Sequence, residues 1–178
     1  MSNVFNLEKQ LVFYRSYHYE TLNVLVHSVF VPTILFTTIG ILENVPLAPV
    51  NKQVYNLGNF GCLIYGAFYL LLDLSGGLIA APIMFLIGYA NTHLIQSVEN
   101  YTYWLTVLFV VSWIAQFISH AVFEKRAPAL LDNLVQALVL APFFVLYEGL
   151  FQLGYRTDLK QRVDATALKN IQEFKKRS

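Results

Sequence analysis

The hydrophobic positions of this chain fall into long blocks rather than alternating with polar ones. Residues 22–42 form the first block, about 20 residues long and therefore able to cross a ~30 Å hydrocarbon core. Pro32 lies inside it and is expected to kink it. The segment NVPLAPVNKQ (44–53) reads as a loop, after which residues 57–72 form a second apolar helix that Asp73 and the pair Gly76 and Gly77 interrupt. Residues 79–95 predict a third helix, SVENYT a polar turn, and residues 103–119 a fourth helix with Trp104 and Trp113. HAVFEKRAPALLDN (120–133) is a charged connector, and residues 134–151 form a fifth apolar stretch carrying Pro142 and Glu148. No internal repeat or linker divides the chain, so the pattern predicts one all-α membrane domain over residues 1–178.

The polar ends set an orientation. Residues 1–20 mix Phe5, Phe13, Tyr14, Tyr17 and Tyr19 with Lys9 and Arg15, the composition of a helix lying in the membrane interface. MSNVFNLEKQ lacks the apolar core of a cleavable signal peptide. Residues 155–178 hold seven basic and three acidic residues, a local +4 against a chain total of +1, which leaves −3 for the 154 residues before them. A basic tail after apolar segments belongs on the cytoplasmic side. Five full spans would put Lys125 and Arg126 on the side away from that tail, whereas four spans put them on the same side. The expected fold is therefore a polytopic helical bundle of about four spans with both termini cytoplasmic. The fifth apolar stretch is then re-entrant or interfacial, since Pro142 and Glu148 each disfavour a clean span.

Composition narrows the chemistry. Charged residues make up 13% and hydrophobic ones 56%, against roughly 25% charged in an ordinary soluble domain. The basic residues gather in one tail rather than over a broad surface, which excludes a nucleic-acid binder. With Cys62 alone there is neither an internal disulfide nor a cysteine-built zinc or iron–sulfur site. The sequence contains no His-Glu-x-x-His, Glu-x-x-His, G-x-S-x-G, Walker or G-x-G-x-x-G pattern. Metal chemistry has to rest on histidines and carboxylates.

The four histidines can be placed on this topology. His27 lies roughly 7 to 8 Å into the first span from Leu22, at 1.5 Å per residue, on the cytoplasmic half. His120 ends the fourth span on the same side, and His18 precedes the first span and can fold over it. His93 falls near the opposite face, where it reads as a helix-packing group. His18 and His27 are nine positions apart, on opposite sides of a straight helix, so a shared ion requires a break between them, with Thr21 or Asn23 able to cap the new helix. Gln116, His120 and Glu124 follow at i, i+4 and i+8, and Asn23 and His27 at i, i+4. Such pairs suit a metal ligand beside the group that orients it. His18, His27 and His120 are the candidate metal ligands, and Asn23, Gln116 and Glu124 the candidate catalytic support. Intramembrane histidines also serve only as hydrogen-bonding links between helices. A juxtamembrane aromatic belt accounts for Tyr14, Tyr17 and Tyr19 as well as a site lining does.

YRSYHYETLNVLVHSVFVP (14–32) and WIAQFISHAVFEKRAPALLD (113–132) together resemble the signature of the 2-hydroxy fatty acid dioxygenase family, small membrane proteins of fungi, plants and bacteria. The resemblance runs over almost the whole chain; Ser28 and Ser119 stand where relatives often differ. It implies an iron(II) enzyme of the endoplasmic-reticulum membrane that shortens a 2-hydroxy fatty acid by one carbon with O₂, within phytosphingosine breakdown. Its motif histidines correspond to His18, His27 and His120, and His93 lies outside the motif. Three protein ligands on Fe²⁺ leave three positions, two for the carboxylate and hydroxyl of the hydroxy acid and one for O₂. The resemblance leaves Glu124, Asp132 and Glu148 as candidates for a fourth ligand, a base or ligand support, and Arg15, Lys125 or Arg126 to meet the substrate carboxylate. Lys175 and Lys176 resemble a dilysine retrieval signal read by coat proteins, or a basic helix end attracted to anionic lipid. The competing class is a small transporter or membrane-shaping protein that uses its histidines for proton relay or packing, although no inverted repeat supports a transporter.

Overall fold

The computed structural model describes residues 4–125, 127, 128 and 136–177. Arg126, Asp132, Ser178 and the first residues of the predicted fifth stretch lie outside the described residues. Among those described, the chain is all-helical, with α1 (Leu7–Tyr17), α2 (Thr21–Leu42), α3 (Leu57–Leu72), α4 (Leu74–Ser97), α5 (Tyr101–Ser119), α6 (Ala141–Gln152) and α7 (Thr157–Arg177). Two π-helical turns, His120–Glu124 and Gln136–Leu140, follow α5 and precede α6. α2, α4 and α5 with its π turn are each long and apolar enough to cross a membrane, and α3 is a shorter apolar helix. The chain is an integral membrane protein. The described part of the fifth stretch runs into α6, and the chain bends by 118° after it, between α6 and α7.

The chain forms two compact units, residues 29–115 and residues 1–28 with 116–178. In the first, α3 and α4 make an antiparallel hairpin whose turn is the single residue Asp73. Its carboxylate caps α4 by accepting from the Gly76 amide at 2.7 Å and the Ser75 hydroxyl at 2.8 Å. α4 therefore starts earlier than the predicted residue 79, and Gly76 and Gly77 belong to its first turn. They are there for close approach: a Cβ on Gly77 would meet the Leu70 Cα, the Leu70 nitrogen and the Tyr69 carbonyl carbon at 2.5–2.7 Å. Further along the hairpin Gly66 faces Ala81, and Gly88 faces Asn59 and Cys62. Lipid tails are as apolar as the helices, so association relies on such small-residue packing rather than on a hydrophobic drive.

In the second unit, α7 is an amphipathic helix that buries Leu159, Val163 and Ala167, spaced four apart, and packs along α1. Arg162 pairs with Glu8 at 3.2 Å and Asn170 donates to the Ser16 hydroxyl at 3.1 Å, a constant offset that makes the two helices parallel. The basic tail of the sequence is thus docked on α1 instead of free in solution.

Gly77→Ala is expected to lower the stability of the detergent-solubilised protein by roughly 1–3 kcal/mol, because the groups it meets are backbone and cannot step aside. Gly149→Ala, whose Cβ has nothing within 4 Å, is the matched control and is neutral or stabilising. Equal thermal midpoints for Gly77→Ala and the parent would contradict the close contact.

Candidate metal centre

α1 ends at Tyr17 and α2 begins at Thr21, which supplies the break that the nine-residue spacing of His18 and His27 demands. His18 takes an extended, non-helical conformation after α1, and its ring turns back to meet that of His27. His120 opens the π turn at the end of α5. The rings pair at centroid distances of 4.4 Å (His18–His27), 4.9 Å (His18–His120) and 4.8 Å (His27–His120), each steeply inclined to the others. One nitrogen from each lies within 4.8 Å of the others, and all three side chains are at most 5% exposed.

The protonation of two rings follows from their partners. His18 Nδ1 lies 2.9 Å from the Tyr14 carbonyl and His27 Nδ1 2.9 Å from the Asn23 carbonyl, each four residues back. A carbonyl only accepts, so both Nδ1 atoms carry the proton and both Nε2 atoms present lone pairs. Burial first, then the neighbouring His27 and His120, hold His18 well below the usual histidine value, so it stays a neutral ligand. Three buried imidazoles, two of them with fixed tautomers, can bind a metal ion.

The start of α2 explains how they are held. The two amides just before it are met from a residue a hundred positions away: Glu124 Oε1 accepts from the Tyr19 amide at 2.7 Å, the Glu20 amide at 2.9 Å and, inside α2, Asn23 Nδ2 at 3.0 Å. Asn23, fully buried, also accepts from the Ser119 hydroxyl, while its own carbonyl holds His27. One connected set thus ties α2, the end of α5 and the π turn around the three rings. Thr21 and Asn23 lie inside α2 rather than before it, and the two amides that Glu124 meets belong to the break ahead of the helix.

Other candidates fall differently from their spacing. Gln116 shares a helix face with His120, and its Nε2 is buried without a partner. Arg15 is engaged through Nε and Nη1, donating to Asp164 at 3.0 Å, Glu148 at 3.4 Å and the His18 carbonyl at 3.3 Å. Glu148 is therefore an ion-pair partner within that network. His93 belongs to the other unit, is exposed, and sits 3.1 Å from the Tyr89 hydroxyl. Tyr14 matters more than its sequence context suggests. Its ring stacks on His18 at 3.9 Å and 15°, its hydroxyl is buried without a partner, and burial and then Glu148 push its pKa up, so it remains a phenol able to donate. Its position four before His18 is the signal that could have singled it out.

The family model described as "Mpo1-like: 2-hydroxy-palmitic acid dioxygenase Mpo1-like" matches residues 4–153. A Saccharomyces cerevisiae protein named 2-hydroxy-palmitic acid dioxygenase MPO1 is 43% identical over 160 residues, covering 89% of this chain and 88% of its own. No solved structure matches the chain.

Glu124→Ala is expected to weaken metal binding by roughly 10- to 100-fold, the usual loss when a group that orients ligands is removed. Titration with Co²⁺, followed by its visible absorption, measures this. Glu124→Gln keeps an accepting oxygen and should fall between parent and alanine variant; unchanged affinity in Glu124→Ala would contradict the clamp.

Proposed function

Because the chain belongs to the Mpo1-like family, we propose that it is an iron(II)-dependent dioxygenase that shortens 2-hydroxy fatty acids by one carbon. The observation that carries this reading is the buried cluster of His18, His27 and His120 in a chain 43% identical to a protein of that name. The cluster suits the metal: imidazoles are fitting donors for non-haem iron, and the buried, unpartnered Gln116 Nε2 leaves a polar group for whatever occupies the site. The overall reaction, R-CHOH-COOH + O₂ → R-COOH + CO₂ + H₂O, is a four-electron oxidation matched by full reduction of O₂, so it needs no external reductant. Iron(II), when bound, supplies the redox chemistry that activates O₂ toward the hydroxy acid.

The chain's own residues divide the remaining work. His18, His27 and His120 hold the ion with Nε2 of the first two presented by their carbonyl-bound Nδ1 atoms. The Asn23 side-chain oxygen and Glu124 Oε1 are taken up by protein donors, so these groups act by fixing the rings. Gln116 and the Tyr14 phenol are the polar groups left to hydrogen-bond a reacting oxygen. The acyl chain lies among apolar helices, and the docked basic helix α7 supports a cytoplasmic placement of this rim in the endoplasmic-reticulum membrane, within sphingolipid-base breakdown. Lys175 and Lys176 are exposed on that helix, as recognition by a coat protein requires.

The test is turnover of 2-hydroxypalmitate by the purified, Fe²⁺-loaded protein, with O₂ uptake, CO₂ release and pentadecanoate measured together. The expected ratio is one to one to one. His18→Ala, His27→Ala and His120→Ala at matched folding should each lose roughly 100-fold or more in kcat/KM, and His93→Ala should not. Full activity in the first three variants would overturn the assignment.

A further inference from the structure

Of the cations near the cluster, Arg15 is already paired with Asp164 and Glu148 and donates to the His18 carbonyl. Lys125 is different. It is exposed, makes no ion pair among the described residues, and closes the π turn in a left-handed conformation (φ 52°, ψ 34°). That conformation is uncommon for a residue with a Cβ, and such outliers gather at functional sites. Beside it a cavity of about 440 Å³ lies wide open to the surface, lined by Phe117, His120, Ala121, Lys125, Ala127 and Pro128. One wall residue is a member of the histidine cluster, one is a cation, and the other four are apolar. On the same helix end Phe117, Ile118 and Val122 are 44%, 56% and 56% exposed within a membrane-crossing segment, so this flank faces lipid.

We propose that this cavity is the side door and head-group seat of the site: an acyl chain enters from the bilayer past Phe117, and the Lys125 ammonium binds its carboxylate beside His120. The volume is at the low end for ligand pockets, enough for a head group and the first methylenes while the remaining tail stays in lipid. Lys125 follows the last residue of the span, where its stem can lie along apolar surface and its ammonium reach the interface. This deepens the dioxygenase reading and rests on it for the substrate, but the recognition step can be measured without turnover.

The experiment uses the full chain in nanodiscs and compares displacement of a fluorescent fatty acid by 2-hydroxypalmitate and by its methyl ester. The parent should prefer the acid. Lys125→Gln should weaken the acid by roughly 3- to 10-fold and leave the ester unchanged, and Lys125→Arg should restore the preference. In turnover, Lys125→Gln should raise KM by a similar factor with kcat little changed. A lysine that only anchors the helix end in lipid head groups would leave the acid-to-ester ratio at the parent value, and that result overturns the proposal. Lys125-dependent acid preference without any turnover would uphold the seat and refute the dioxygenase reading, so the two failures are distinguishable.

Discussion

A chain that leaves one helix at Tyr17 and enters the next at Thr21 exposes amide groups that no helical carbonyl can reach, and the Glu124 carboxylate meets two of them. The rest of the centre depends on that contact. It holds the break open, which lets His18 swing onto His27 although the two are nine residues apart. It also fixes the π turn that begins at His120, because Glu124 is that turn's last residue. A negative charge at a helix N-terminus is stabilised by the aligned peptide dipoles, and its bonds to N–H groups are charge-assisted. The same carboxylate therefore cannot serve as a free base or as a ligand through the oxygen that makes these bonds.

The surroundings divide by the solvent they face. Within the hairpin of α3 and α4, glycine and alanine permit close backbone contact, and large apolar side chains point outward. In the unit that carries the histidines, association is driven instead by an amphipathic helix and ion pairs. α7 lays an apolar stripe along α1, and Arg15 gathers Glu148 and Asp164 while bonding the His18 carbonyl. Membrane-style packing and water-style packing meet in one short chain, which suits chemistry on a lipid at a bilayer rim.

Much of this was legible in the sequence where a single helix carries the information. Block lengths gave the apolar helices, and the spacing of His18 and His27 required the break that the structure contains. The spacing could not say which partner lies across from which, because contacts such as Glu124 with Tyr19 join residues about a hundred positions apart. Gln116 illustrates the limit: helical periodicity pairs it with His120, whereas packing leaves its amide nitrogen buried without a partner. Arg15 is another case, since its engagement depends on α6 and α7 folding back onto α1. Asp73 read as an interruption because its capping role appears only once the hairpin closes over Gly77.

The central claim is that three imidazoles, held by the Glu124 clamp, form the metal centre of an active enzyme. X-ray absorption at the iron edge of the purified, active protein tests it most directly. The account predicts about one iron per chain, with a nitrogen and oxygen shell that includes the outer-atom scattering of imidazole and no sulfur. Active protein whose iron shows sulfur ligands or no imidazole would contradict it.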